Sequence, residues 1–165
     1  RIYNVLVSHT HEVIKQVDCD KYLYFSDQIE QSEKWGHCEL RVQKGADLGE
    51  RMYNAIAEIK MEGAEEVVII GTDCYELLDT HINAAFLALE RNDYCIGPAE
   101  DGGYYLMGTN SPDKGVFLEK EWSTESVFEE AKSSIDKLGK SLAVLDQLPD
   151  VDNEADLKSL VVYLK

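Results

Sequence analysis

The residues best placed to do chemistry are acids and glycines that follow apolar runs. In EVVIIGTDCYELL, residues 66–78, Val67, Val68, Ile69 and Ile70 lead directly into Gly71, Thr72 and Asp73. Gly, Thr and Asp commonly end strands in ordinary turns. An Asp at the C-terminal edge of a parallel sheet also stands where open α/β folds place their ligands. There its carboxylate is a hard-oxygen donor, and Mg2+ takes one or two such carboxylates together with substrate phosphates. Position alone leaves both readings open.

Other stretches add candidates. GPAEDGGYYLMG, 97–108, places Gly102 and Gly103 after Asp101. The glycines suit a tight turn that needs positive φ. They would equally let a ligand approach the backbone, with Glu100 and Asp101 offered to sugar hydroxyls or a metal. QKGADLGERM, 43–52, carries Gln43 and Gly45 beside a helix start whose N–H groups could read a base or hold an anion. Asp47 and Glu50 are already explained as a capping box. In WSTES, 122–126, Ser123 or Thr124 reads as a helix N-cap and Trp122 as core packing. In PDVDNEADL, 149–157, Asp150 and Asp152 stand before the last helix, where they cap it or supply a second metal carboxylate.

Several chemistries lack support. His9 and His11 are two apart on a helix and point to different sides. Cys19, Cys38, Cys74 and Cys95 form no CxxC pair, so they read as reduced thiols of a cytosolic protein. No GxSxG, P-loop or GxGxxG occurs.

The elements that must position these residues follow from apolar periodicity. Helices are expected over 1–17, 48–62, 79–91, 124–138 and 153–164. Strands are expected over 21–25, 38–43, 66–71, 93–97, 104–108 and 141–145, with a short polar helix or loop over 27–36. This alternation defines an α/β domain, residues 1–165, with a mostly parallel sheet. The apolar run at 67–71 suggests a central strand buried on both faces. No helix fits between 93–97 and 104–108, so one of these strands should run antiparallel. An opening helix with no strand before it leaves a βαβ unit half complete.

The chain has 165 residues and a net charge of −16. That charge argues against nucleic acid or an anionic membrane surface as partner, since both reward a basic face. A phosphorylated ligand would need a bridging cation. No apolar stretch is long enough to span a membrane.

QKGADLGERMYNA, VVIIGTDCYEL, GPAEDGGYYLMG, WSTESVF and DVDNEADL, in this order and spacing, resemble a bacterial group of GT-A-like glycosyltransferases, the radical-SAM/selenodomain-associated transferases. The resemblance covers nearly the whole chain. It implies the three-layer α/β/α, GT-A (nucleotide-diphospho-sugar transferase) fold, shared with guanylyltransferases of cofactor biosynthesis. It also implies a nucleotide or nucleotide sugar held through Mg2+ or Mn2+. Asp73 matches the metal-binding acid, although Tyr75 replaces a proline frequent there, and Asp152 matches a late acidic motif that completes the metal site. Asp101, Gly102 and Gly103 match a DGG motif facing the acceptor or sugar, which makes Asp101 the catalytic candidate. Gln43, Gly45, Gly71 and Thr72 join Gly102 and Gly103 as nucleotide- or substrate-binding positions. Members of the group begin with a strand and a G-x-x-K-T-R phosphate loop. Their absence here predicts a missing N-terminal portion of roughly 15 or more residues. It also predicts an unfilled strand position next to or near strand 67–71, an open sheet edge on which two copies could pair.

Glycosyl transfer from a nucleotide sugar is the leading expectation. Nucleotidyl transfer with release of pyrophosphate, and a non-catalytic nucleotide-binding module, are the alternatives.

Overall fold

The computed structural model describes residues 2–30, 33–122 and 124–149. Helix α1, Ile2–Lys15, leads to strand β1, Tyr22–Phe25, and a 3-10 turn, Glu33–Trp35, precedes β2, Glu39–Val42. Then follow α2, Leu48–Met61; β3, Val67–Ile70; α3, Asp79–Leu89; β4, Tyr94–Pro98; and β5, Tyr104–Thr109. A one-turn helix, α4, Lys114–Phe117, was not expected; α5, Val127–Lys137, and β6, Leu142–Val144, complete the series. Elements through residue 145 fall within a few residues of their expected bounds. The expected helix 153–164, Asp150 and Asp152 lie outside the described residues.

The strands form two sheets. β1 and β2 pair in parallel. The second sheet has the order β3-β5-β4-β6, in which β5 is antiparallel to both neighbours while β4 and β6 are parallel. β3, β4 and β6 therefore share one direction and β5 alone is reversed. The turn between β4 and β5 is too short for a crossover connection, which forces the hairpin.

One expectation is corrected. β3 is an edge strand of its sheet, paired only with β5. All its residues are half-buried, whereas every residue of β4 is buried. Among the described residues its other edge faces a groove toward β1, the unfilled position expected beside it, and its continuous apolar run reflects packing on both faces. Val68 and Ile70 contact the cluster built by α1 and α3 around Leu77, Cys95 and Leu106. Val67 and Ile69 contact the cluster of α2, α4 and α5 around Ile56, Tyr94 and Met107. Alternate side chains of β3 and β4 thus enter opposite cores, as the strand pleat requires; on β5 Leu106 and Met107 do the same, while a register shift at Gly97/Pro98 leaves Tyr105 in the core of Leu106. The result is a three-layer α/β/α arrangement.

Local signals account for the helix starts. Asp47 Oδ1 accepts the Glu50 N–H at 2.8 Å, and Glu50 Oε2 accepts the Ala46 N–H at 2.8 Å. The expected cap at Ser123 or Thr124 is also corrected: α5 is preceded by Ser126 as its N-cap residue. Thr124 instead donates to Glu121 O at 2.9 Å.

No helix among the described residues is long and apolar enough to cross a membrane.

Candidate functional site

A groove of 1790 Å³ separates β1 from β3. Its floor and walls are apolar: Leu23 and Phe25 on β1, Val68 and Ile70 on β3, Leu6 on α1 and Met52 on α2. Charged residues also line the end at the strand N-termini, Asp20, Lys21, Glu65 and Glu66 among them; the chain's own contacts define the other end. Gly71 N–H donates to Tyr105 O at 3.1 Å, so β3 ends beside the start of β5. Tyr104 packs edge-on to Trp122, with ring centroids 6.4 Å apart. A Cβ on Gly49, in the first turn of α2, would come 2.7 Å from the Trp122 ring. Since α2 starts just after β2, the C-terminal ends of β2 and β3 lie at the same end of the groove.

Gly71, Thr72 and Asp73 line that groove, as do Gln43, Asp101 and Gly103. Asp73 is exposed, and its Oδ1 folds back over Gly71, where a Cβ would come 2.5 Å from it. A larger residue at 71 would displace the carboxylate. Asp101 is also exposed; its Oδ1 accepts the Gly103 N–H at 2.8 Å, which shapes the hairpin loop and leaves Oδ2 available.

Two expected residues stand elsewhere. Gly102 is not among the groove-lining residues: with φ of 90° it packs on the Glu125 backbone, into which a Cβ would collide. Its carbonyl accepts the Phe128 N–H at 2.9 Å. Gly45 also does not line the groove. Its φ is 149°, and a Cβ would come 2.7 Å from Arg51 N. Both glycines answer to backbone geometry and close packing. Asp152 lies outside the described residues.

The residue that sequence reading missed is Arg51. It lines the groove from the start of α2, half-buried. Its Nε donates to Gly45 O at 3.2 Å and its Nη1 to Gln43 Oε1 at 3.5 Å. Gln43 is itself fixed by Nε2 donating to Tyr24 O at 3.2 Å. The available signal was a lone base, one turn after a helix cap, in a strongly acidic chain.

Two aromatic polar groups border the same end. The Tyr104 hydroxyl and the Trp122 Nε1 are buried with no hydrogen-bond partner among the described residues. Burial pushes the Tyr104 hydroxyl pKa well above its ordinary value.

A divalent cation fits this donor set in one way. No group of three or more His, Cys, Asp or Glu positioned for a metal occurs among the described residues. Asp73 lines the groove at the end of β3, and one or two carboxylates suffice for Mg2+ when phosphates supply further oxygens. The residues suit a cation shared with a phosphorylated ligand, not a closed protein cage.

The architecture is that of nucleotide-diphospho-sugar transferases. The chain is similar to a proposed nucleotide-diphospho-sugar transferase from Desulfovibrio desulfuricans, with a TM-score of 0.89 and 26% identity over 99% of this chain and 74% of that one. It shares its fold with 2-C-methyl-D-erythritol 4-phosphate cytidylyltransferase from Thermus thermophilus, at TM-score 0.64 and 10% identity over 96% of this chain and 88% of that one. It likewise shares the fold of CMP:2-keto-3-deoxy-manno-octonic acid synthetase complexed with CTP, at TM-score 0.63 and 9% identity over 96% and 87% of the two chains. Residues 9–124 match DUF2064, described as an uncharacterized protein conserved in bacteria, and the chain belongs to that family. A search of curated proteins gives no match.

Proposed function

We propose that the groove binds a nucleotide-activated substrate and that the domain transfers a group from it, most directly a glycosyl group from a nucleotide sugar. The observation that carries this reading is convergence. Gln43, Gly71–Asp73, Asp101 and Gly103 come from separate parts of the chain and line one groove. They do so at the strand ends where such sheets receive ligands. The fold shared with a proposed nucleotide-diphospho-sugar transferase supports the substrate class.

In glycosyl transfer an acceptor hydroxyl attacks the anomeric carbon, the bond to the diphosphate breaks, and the nucleoside diphosphate leaves. Asp101 is the candidate general base: its Oδ2 can take the hydroxyl proton while Oδ1 stays tied to Gly103. Mg2+ or Mn2+, held by Asp73 with Asp152, would neutralise charge on the diphosphate.

A second reading is nucleotidyl transfer with pyrophosphate as product. Fold neighbours bearing cytidylyltransferase and synthetase names prompt it. The third, a nucleotide-binding module without catalysis, shares the groove and lacks a product.

A thermal-shift screen of nucleoside di- and triphosphates and nucleotide sugars, with and without Mn2+, tests the common premise. Ligands that bind only the folded state raise its melting temperature. A metal-dependent rise with a nucleotide sugar, followed by release of nucleoside diphosphate with an acceptor, supports glycosyl transfer. Release of pyrophosphate supports the second reading, and binding without any product the third. No shift with any nucleotide would remove all three.

A further inference from the structure

We propose that Arg51 is the phosphate anchor of the groove: its guanidinium, aimed by Gln43 and Gly45, binds a phosphoryl group of the nucleotide ligand. The inference rests on the proposed function and goes further in naming a residue and the ligand atoms it contacts.

Charge is the first consideration. Asp27, Asp73, Asp101 and Glu125 line the groove and are exposed, in a chain of net charge −16. Such a field repels a diphosphate. Lys21 and Arg51 are the basic residues among the described lining residues. Lys21 precedes β1, away from the strand C-termini, and donates to Cys19 O at 2.8 Å. Arg51 therefore supplies the positive charge at the strand C-terminal end.

Availability comes next. Arg41 shows what a committed arginine looks like in this molecule: it contacts Glu39, Glu58 and Glu62 at 2.6, 3.5 and 2.8 Å. Arg51 makes no ion pair with a carboxylate among the described residues. Its two acceptors, Gly45 O and Gln43 Oε1, are neutral. They leave its charge uncompensated, and its Nη2 group donates to nothing among the described residues.

Aim is the last. The Nε and Nη1 contacts hold one side of the planar fork, and Gln43 is in turn held by the β1 backbone. A guanidinium fixed in this way presents its remaining donors in the parallel geometry that matches two phosphate oxygens. Gly45 is required for the same reason: its positive φ and the close approach of Arg51 N leave no room for a Cβ. Arg51 acts by binding, so it contributes equally to glycosyl and nucleotidyl transfer.

The test is calorimetry on wild type, R51M, R51K and Q43M, with ADP, GDP, CDP, UDP, their nucleosides and inorganic pyrophosphate as probes, with and without Mn2+. Where wild type binds a diphosphate, R51M should weaken it about 10- to 100-fold, the scale of one charge-assisted bidentate contact. The corresponding nucleoside should bind R51M as it binds wild type. R51K should recover part of the loss, and Q43M, which keeps the charge but loses its aim, should fall between. Melting temperatures within a few degrees of wild type, expected for a half-buried polar substitution, keep the comparison valid; if R51M does not fold, R51K and Q43M carry it. Equal diphosphate affinity in wild type and variants would overturn the anchor role alone. So would a parallel loss of nucleoside and diphosphate. A wild type that binds no diphosphate, pyrophosphate or nucleotide would overturn the proposed function and the anchor with it.

Discussion

The carboxylate of Asp73 lies against the α-carbon of Gly71, so that a Cβ added at 71 would stand 2.5 Å from Asp73 Oδ1. Gly71 has no positive φ, so alanine is tolerated there by the backbone. The clashing group is the end of an exposed side chain, not backbone. Gly71→Ala should leave stability within roughly 0.5 kcal/mol of wild type, as for other surface changes. It should weaken Mn2+-dependent nucleotide binding about tenfold by misplacing a metal ligand. Calorimetry and thermal melts on the same variant check both halves; unchanged affinity would mean that the position of Asp73 does not matter.

The two glycines after Asp101 should separate cleanly. Gly102→Ala meets both a φ of 90° and the Glu125 backbone. A strained backbone of this kind costs about 1–3 kcal/mol. At Gly103 a Cβ meets only the Asp101 carboxylate, at 3.1 Å, so Gly103→Ala should cost less stability and act mainly on the groove. Urea unfolding of the two variants, side by side, measures the difference.

Asp93 joins β4 to β6. Its Oδ2 accepts the Ser141 N–H at 2.9 Å and the Ser141 hydroxyl at 3.0 Å, and Lys140 Nζ lies 3.4 Å from Oδ1. These bonds, the Ser141 backbone first, hold the Asp93 pKa below the ordinary carboxylate value. A depressed folded pKa gives stability that is present above the unfolded pKa, near 3.9, and lost as pH falls through the folded value. Asp93→Asn should therefore lower stability by about 1 kcal/mol at pH 7, the net worth of a partly screened hydrogen bond. The gap should stay level from about pH 5 upward and close below about pH 4. Melts across that range test it.

The sequence made most of this framework legible, and the reasons are local. Runs such as Val67–Ile70 and stripes such as Met52, Ala55, Ile56 and Ile59 are written by packing on two sheet faces and one helix face. The Asp47–Glu50 cap is a short-range signal, and its bonds occur as spaced. Strand order was not legible, because nothing within Val67–Ile70 records which strands flank it. The packing of Gly45 and Gly102 was not legible for a related reason. A ligand-facing glycine and one crowded by Arg51 N or Glu125 look alike in sequence. Arg51 was missed because its proposed role rests on having no carboxylate partner among the described residues, which only three dimensions reveal.

The thiols give a further check on burial. Cys95 is buried, and loss of solvent pushes its pKa up to about 12. Cys19 is exposed. Because the thiolate is the reactive species, an aromatic disulfide reagent at pH 8 should label Cys19 in the folded protein and reach Cys95 only on unfolding. Mass spectrometry of the labelled peptides decides it, and rapid labelling of Cys95 in folded protein would contradict the packing of β4.

The most direct measurement of the central claim is nucleotide affinity by calorimetry, with and without Mn2+, on wild type and Asp73→Asn, alongside their melting temperatures. The substitution keeps the side chain's shape and removes its charge. The account predicts that wild type binds nucleotide or nucleotide sugar more tightly with Mn2+. It predicts that Asp73→Asn loses this metal-dependent gain, and that the two proteins melt at nearly the same temperature, since an exposed turn residue carries little stability beyond its local hydrogen bonds. If the variant binds nucleotide as well as wild type but melts far lower, Asp73 is a structural turn residue and the metal-bridged groove is wrong.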